Sequence, residues 1–347
     1  MKKVLLSILA VAAMASCVQS EDVNPNQLID FGSPFVGGTT KAIDYSYGAN
    51  NLLKEIYVYG SLKGTTANYI SVFDHEKVWT DAADGDYTKE WKCNATKYWV
   101  PGADYKFVAL AGVDKANVTA TDAIPSSLAF TSEGKTDLVA GYVEKNDVGA
   151  TGNGLVSFTM GHLLSKVKFT ITNTTNEGDD TKNSGFYYKV TDIKLTNAAT
   201  SGTCVLSYVT PDATTPSGVT GAWTPTLGVV NFGHATDATE VVAEANTTKI
   251  ADRVKVTSNH EYLVVPYTYT STETLKVSFD LALYASDNTP VNEKETKSAE
   301  VEVDFVAGYA YNFKINLSLN DPIKFTVSSN PGWLEAGEET VNFETTL

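Results

Sequence analysis

Apolar and polar residues alternate along most of the chain beyond residue 28, and almost no stretch shows helical periodicity. Alternation places every second side chain on one face, which is typical of half-buried β-strands. The Thr, Val and Tyr in these runs also favour strands. The pattern predicts an all-β protein built from antiparallel β-sandwiches. The alternating runs are 55–60, 105–110, 166–172, 262–266, 274–281 and 299–305.

Length and one glycine-rich stretch predict two domains. A chain of 347 residues is long for one domain. Residues 147–154 carry three glycines and little that could be buried. We therefore expect an N-terminal β-sandwich domain at 28–154 and a C-terminal β-sandwich domain at 155–347.

The N-terminus has the pattern of a secretory signal. Lys2 and Lys3 precede an apolar segment at 4–15, which is shorter than the roughly 20 apolar residues that span a bilayer. Cys17 follows small residues and resembles the cysteine of a bacterial lipobox. We expect a lipoprotein signal peptide at 1–16, with acyl chains such as palmitate anchoring Cys17 in the outer membrane. The alternative is a plain signal peptide followed by an unmodified cysteine.

An acidic tether is expected at 17–27. Glu21 and Asp22 lie close to the lipid, as in lipoproteins displayed on the cell surface; the alternative is a disordered spacer without a sorting role. The formal charge of the whole chain is −15. An acidic protein repels the phosphates of nucleic acid, so nucleic acid is not an expected partner.

The residues that usually carry catalysis or metal binding are scattered. The four histidines have no metal-ligand spacing, and no nucleophile lies beside a base in a known motif. We predict that the chain is not an enzyme and needs no cofactor or metal. Cys93 and Cys204 could form one disulfide, but two lone thiols are favoured.

Three tryptophans, Trp79, Trp91 and Trp99, lie in one aromatic stretch. Aromatic rings stack on sugars, so these residues could form a glycan-binding platform. The favoured interpretation is that they pack the core of the N-terminal domain, because each ring buries a large apolar area.

Several segments, taken in order, resemble the fimbrillin family, the lipoprotein subunits of type V pili. The resemblance covers almost the whole mature chain and implies two transthyretin-like β-sandwich domains and a structural role in a polymer. The segments that carry it are Cys17, 28–31, 39–42, 97–101, 105–109, 137–140, 158–169, 308–313 and 322–327, with Trp333 after them.

The resemblance also implies maturation by a protease that cuts behind the first strand. The excised strand would be Leu28, Ile29, Asp30 and Phe31, within 27–35, and the cut would separate Lys41 from Ala42. Lys41 stands where the family usually has arginine. Either the protease accepts lysine, or this subunit is never cut and serves as an anchor or terminal subunit.

A strand from the next subunit would then fill the opened groove. Residues 339–347 alternate as such a donor strand requires, with Val341, Phe343, Thr345 and Leu347 on one face. An ordinary strand of the C-terminal sandwich is an equal alternative for this tail. For 323–327 the ordinary strand is favoured.

We therefore expect a structural subunit of a cell-surface pilus, or fimbrium, that polymerises by donor-strand exchange. Its partners would be other copies or related pilus subunits, a maturation protease, an adhesion ligand on a host or bacterial surface, and the outer membrane through the lipid anchor. The alternative is a non-polymerising surface lipoprotein that binds glycan or another adhesion ligand. Stalk, tip and anchor positions stay open.

Overall fold

A computed structural model gives the fold of the chain. It describes residues 28–36, 53–65, 68–81, 90–132, 134, 136–149, 154–173, 186–232, 255–257, 261–270, 272–285, 289–317, 323–331 and 339–346.

A seven-stranded sheet, the N-terminal sheet, has the strand order β1-β9-β8-β5-β2-β3-β4. Neighbours are antiparallel except β1 and β9, which are parallel. Its strands are β1 (Phe35–Val36), β2 (Glu55–Lys63), β3 (Ile70–Trp79), β4 (Lys92–Cys93), β5 (Asp104–Ala111), β8 (Val139–Lys145) and β9 (Thr159–His162).

A second sheet, the C-terminal sheet, runs β13-β10-β17-β18-β19, with β14 also paired to β10. The pair β10–β17 is parallel, and β19 lies at the edge. The strands are β10 (Ser165–Asn173), β13 (Lys255–Thr257), β14 (Tyr262–Val264), β17 (Tyr309–Leu317), β18 (Lys324–Pro331) and β19 (Glu339–Thr346).

A third sheet, the shared sheet, runs β16-β15-β11-β7-β6, with β12 paired to β11. A short 3-10 helix, Lys115–Asn117, precedes β6. The strands are β6 (Val118–Thr121), β7 (Ile124–Thr131), β11 (Phe186–Tyr208), β12 (Val219–Asn231), β15 (Leu275–Ala285) and β16 (Glu295–Val301).

Within the part of the chain that the structure describes, the alternation gives three hydrophobic cores. On β5, Phe107 and Ala109 enter one core while Val108 and Leu110 enter another, so the N-terminal sheet is covered on both faces. Every second side chain of β17 is buried as well. These side chains, among them Phe313, enter the third core together with residues of β15 and β11. Burying these large side chains is the main force that holds the sheets together.

The shared sheet joins the two halves of the chain. Strand β7 pairs with β11 across residues 127–131 and 201–205, and β9, which follows residue 154, pairs with β8. Hydrogen-bonded ladders therefore cross the expected boundary between residues 154 and 155. The division into domains at that point stays a prediction.

The all-β class is confirmed, and strands lie in all six alternating runs. The run at 299–305 is only partly strand, because β16 ends at Val301 and Phe305 instead makes an isolated bridge with Tyr267. No helix of the described residues is both long and apolar enough to cross a membrane.

Candidate strand-exchange groove

The N-terminal segment 28–36 is inserted between two other stretches of backbone. On one side the Ile29 N–H donates to Lys97 O at 2.9 Å. On the other, the Val156 N–H donates to Asp30 O at 2.8 Å and the Gly32 N–H donates to Val156 O at 3.0 Å. Strand β1 then continues along β9. The segment thus fills a gap whose two rims would otherwise be unpaired strand edges.

Two side chains anchor this segment in the core. Ile29 and Phe31 are 2% and 4% exposed, whereas Asp30 between them is exposed. The Phe31 ring lies 5.3 Å from Phe73 in an edge-to-face contact and 6.4 Å from Phe158 in a stacked one. Burial of two such side chains contributes about 3–6 kcal/mol. We call the gap that 28–36 fills the N-terminal groove.

The groove is lined by uncharged groups. Trp99 and Tyr105 pack edge to face at 4.9 Å, and the Tyr105 hydroxyl accepts a hydrogen bond from the Val100 N–H at 2.8 Å. Burial raises the pKa of Tyr105, so this phenol stays protonated at physiological pH. The rings that contact Phe31 are uncharged as well, so an apolar side chain that enters this pocket would not have to desolvate a charge on any of them.

Trp99 packs in the core, as the sequence favoured. Its side chain is 3% exposed, so it cannot serve as a surface platform for sugar. Its indole N–H is buried and has no acceptor among the described residues. A buried donor without an acceptor costs about 1–3 kcal/mol. The segment 28–36 does not remove this cost, because it provides no acceptor for the indole N–H.

The tail is held by an irregular ladder. Strand β19 pairs with β18 antiparallel, with Val341 opposite Val327 and Thr345 opposite Phe325. Between these pairs, residues 342–344 of β19 lie opposite one residue of β18, Thr326. This unequal count interrupts the pairing around Phe343. As the last strand of its sheet, β19 is bonded to a single neighbour, β18, among the strands that the structure describes.

The predicted site residues are thus only partly placed. Leu28, Ile29, Asp30 and Phe31 line or fill the groove, with Leu28 bridging Tyr98. Val341, Phe343 and Thr345 lie in β19, at the edge of the C-terminal sheet. The predicted lipidation site Cys17, the cleavage pair Lys41 and Ala42, and the tail residue Leu347 lie outside the described residues.

Sequence reasoning missed the two rims of the groove. Val156 and Phe158 are buried on either side of exposed Ser157, which is an alternation of its own. This short signal could have marked a strand edge. The partner role of Lys97 depends only on its carbonyl, which no side-chain pattern reveals.

The two cysteines lie at different cores, because Cys93 packs against the core that holds Ile29 and Phe31, and Cys204 lies in another. Cys93 and Cys204 are both free thiols, as favoured from the sequence. His162 Nδ1 lies 2.6 Å from Asp137 Oδ2, with both side chains buried, and this pair fixes the end of β9. No cluster of three or more metal-ligating side chains occurs within the described ranges.

The fold and the groove define a class of protein: an all-β protein in which an N-terminal segment is inserted between two other stretches of backbone. Residues 40–331 match the fimbrillin-like family, and the chain belongs to that family. No curated protein matches the chain.

One solved structure in particular supports the fold. A fimbrial protein from Bacteroides vulgatus has a TM-score of 0.56 and 13% identity, over 89% of this chain and 100% of that chain. A protein from Bacteroides uniformis assigned to cell adhesion has a TM-score of 0.49 and 16% identity, over 89% and 99%. A fimbrial assembly protein from Parabacteroides distasonis has a TM-score of 0.46 and 11% identity, over 86% and 95%.

Proposed function

We propose that this chain is the structural subunit of a cell-surface pilus that polymerises by donor-strand exchange. The observation that carries the proposal is the seating of 28–36, whose backbone is hydrogen-bonded on both sides and whose Ile29 and Phe31 side chains fill an apolar groove. Family membership supports a pilus or adhesin-type subunit on the cell surface. Removing 28–36 would leave the hydrogen-bonding rims and the pockets of Ile29 and Phe31 open for another strand.

The chain carries a matching strand at its other end. Ile29-Asp30-Phe31 places a β-branched residue and a phenylalanine two positions apart around a polar residue, and Val341-Asn342-Phe343 repeats that pattern. Because alternate side chains of a strand point to one face, Phe343 of an incoming copy would take the pocket of Phe31, and Val341 that of Ile29. The interrupted β18–β19 ladder supports release of this tail.

Maturation precedes exchange in this proposal. The chain is exported, lipidated at Cys17 and displayed at the outer membrane, and a protease that accepts lysine cuts between Lys41 and Ala42. The cut frees the segment that contains 28–36 from the rest of the chain. Without it the segment stays tethered at high effective concentration and outcompetes a donor strand from another copy.

Limited trypsin digestion of the Cys17→Ala chain tests this mechanism. The expected product is a stable fragment that begins at Ala42 and grows into ladders resistant to denaturant. The Lys41→Gln chain is the matched control and should give neither the fragment nor ladders. A Phe343→Ala chain should be cut normally but should assemble much more slowly, because it lacks the side chain that fills the pocket of Phe31.

Two results would contradict the proposal. A chain cut at Lys41 that stays monomeric would argue for a surface lipoprotein that does not polymerise. Ladders that form equally well from the Lys41→Gln chain would show that the segment 28–36 does not control assembly.

A further inference from the structure

A second concave site lies away from the N-terminal groove. It occupies about 680 Å³ where β2 and the turn after β5 approach β7, β11 and β12. Glu55 and Tyr57 of β2 line it together with Asp114 and Asn117 before β6. We call it the Tyr57 cleft. Its volume is in the range of small-ligand sites, which are about 300–1,000 Å³.

The lining offers hydrogen bonds rather than an apolar surface. Hydroxyl groups come from Thr131 and Thr203, an amide from Asn117 and carboxylates from Glu55 and Asp114. Carboxylates accept hydrogen bonds, hydroxyl groups donate and accept, and an amide does both through separate atoms. Such a set matches a ligand that carries many hydroxyl groups.

The charge of the cleft disfavours charged ligands. None of the described residues that line it is lysine or arginine, so a phosphate, sulfate or sialic acid would find no cationic side chain among them and would be repelled by the two carboxylates. Lys77 Nζ lies 2.5 Å from Glu55 Oε2, so one of the two carboxylates already has a counter-ion. The attraction for a basic peptide is reduced accordingly.

The Tyr57 ring is held in a fixed orientation. It stacks on the imidazole of His75 at 4.2 Å between ring centroids, with 14° between the planes. The His75 backbone has φ +58°, a left-handed conformation that costs energy in a non-glycine residue. Burial lowers the pKa of His75, and the charge of Lys115 adds to this, so the supporting ring is neutral near pH 7. A preorganised aromatic ring beside polar groups is a suitable stacking partner for the C–H face of a sugar.

We propose that the Tyr57 cleft binds a neutral glycan, with Tyr57 as the stacking residue and Asp114 and Asn117 as the residues that bind its hydroxyl groups. Asp114 is suited to this role because its side chain makes no capping hydrogen bond to the 3-10 helix that follows it. The site would give a surface-displayed subunit an adhesive function. It does not depend on strand exchange, since the described residues that line the cleft come from neither 28–36 nor β19.

A glycan array probed with the purified full-length chain tests the proposal. The probes are galactose-, mannose-, fucose- and N-acetylhexosamine-terminated oligosaccharides, their sialylated and sulfated forms, and a lysine-rich peptide. We expect binding to a neutral glycan and weaker binding to its sialylated form. Calorimetry should then show at least tenfold weaker binding for Tyr57→Ala and for Asp114→Asn, and less than threefold change for Tyr57→Phe, which keeps the stacking ring.

The controls establish whether binding depends on this cleft. Tyr98→Ala, which removes an exposed aromatic ring outside the cleft, should bind normally, as should the assembly variant Phe343→Ala. Circular dichroism identifies a variant that does not fold, and Asp114→Asn keeps the size of the side chain if Tyr57→Ala fails.

The proposal is overturned if no neutral glycan on the array binds, or if the folded Asp114→Asn and Tyr57→Ala chains bind as the parent does. The proposal is also overturned if the chain binds only the lysine-rich peptide. Loss of that binding when salt is raised from about 50 to about 500 mM, as charge screening predicts, would indicate a peptide site instead.

Discussion

The substitution Phe31→Ala tests whether 28–36 is an independently releasable piece of the fold. Phe31 is 4% exposed and packs against three other phenylalanine rings. Truncation of a buried phenylalanine costs about 3–5 kcal/mol. We take about 3 kcal/mol, because the pocket lies under a single inserted segment that can adjust. A free-energy change of about 1.4 kcal/mol alters an equilibrium constant tenfold, so the population of the released state should rise roughly 100-fold.

Hydrogen exchange at single amides is the assay. The amides of Ile29, Gly32 and Val156 donate the bonds that hold the segment, so their exchange should accelerate about 100-fold in Phe31→Ala. The matched control is Phe325→Ala, which removes a buried ring from the core between the C-terminal and shared sheets. It should lower global stability without changing exchange at these three amides. If Phe325→Ala accelerates them as much as Phe31→Ala does, the segment opens only when the whole molecule unfolds, and the reasoning is wrong.

Two further predictions concern the fold outside the groove. Gly112 has φ +85°, and a Cβ added there would lie 1.8 Å from Asp137 O. Gly112→Ala should therefore cost about 3 kcal/mol or more in urea unfolding, whereas Gly64→Ala, with no atom within 4 Å of the added Cβ, should be nearly neutral; equal effects would contradict the steric argument. Asp280 accepts a hydrogen bond from Lys294 at 2.7 Å, a contact that lowers the pKa of Asp280. Asp280→Asn should thus lose about 1–2 kcal/mol at pH 7. This difference from the parent should shrink as the pH falls below about 4, because the unfolded aspartate binds its proton first; a difference that does not depend on pH would contradict the assignment.

Alternation predicted the strands that keep a strict period of two. Strand β5 is the clearest case, since its side chains enter two different cores in turn. Strand β11 was not predicted as one element of 23 residues. Its register shifts between Thr191 and Lys194 and again near Ala199, and Asp192 and Asn197 have positive φ. Each shift changes which side chains face the core, so no single period runs through the strand.

The groove could be predicted only in part. The alternation of Ile29, Asp30 and Phe31 marks a strand-like element that buries one face, and the structure places it in that way. Its position between Lys97 and Val156 depends on contacts between residues far apart in sequence, for which no local pattern exists. The Tyr57 cleft depends likewise on the approach of strands from both halves of the chain.

Photo-crosslinking from position 343 tests whether the C-terminal strand of one copy enters the N-terminal groove of another. The chain carries p-benzoylphenylalanine in place of Phe343, is cut with trypsin, is allowed to assemble and is then irradiated. We expect adducts between position 343 of one copy and the peptides around Phe73, Phe107 or Phe158 of another, because these rings form the pocket of Phe31. Adducts confined to residues 324–331 of the same copy would show that the tail stays on β18 in the polymer, and would rule out donor-strand exchange through this tail.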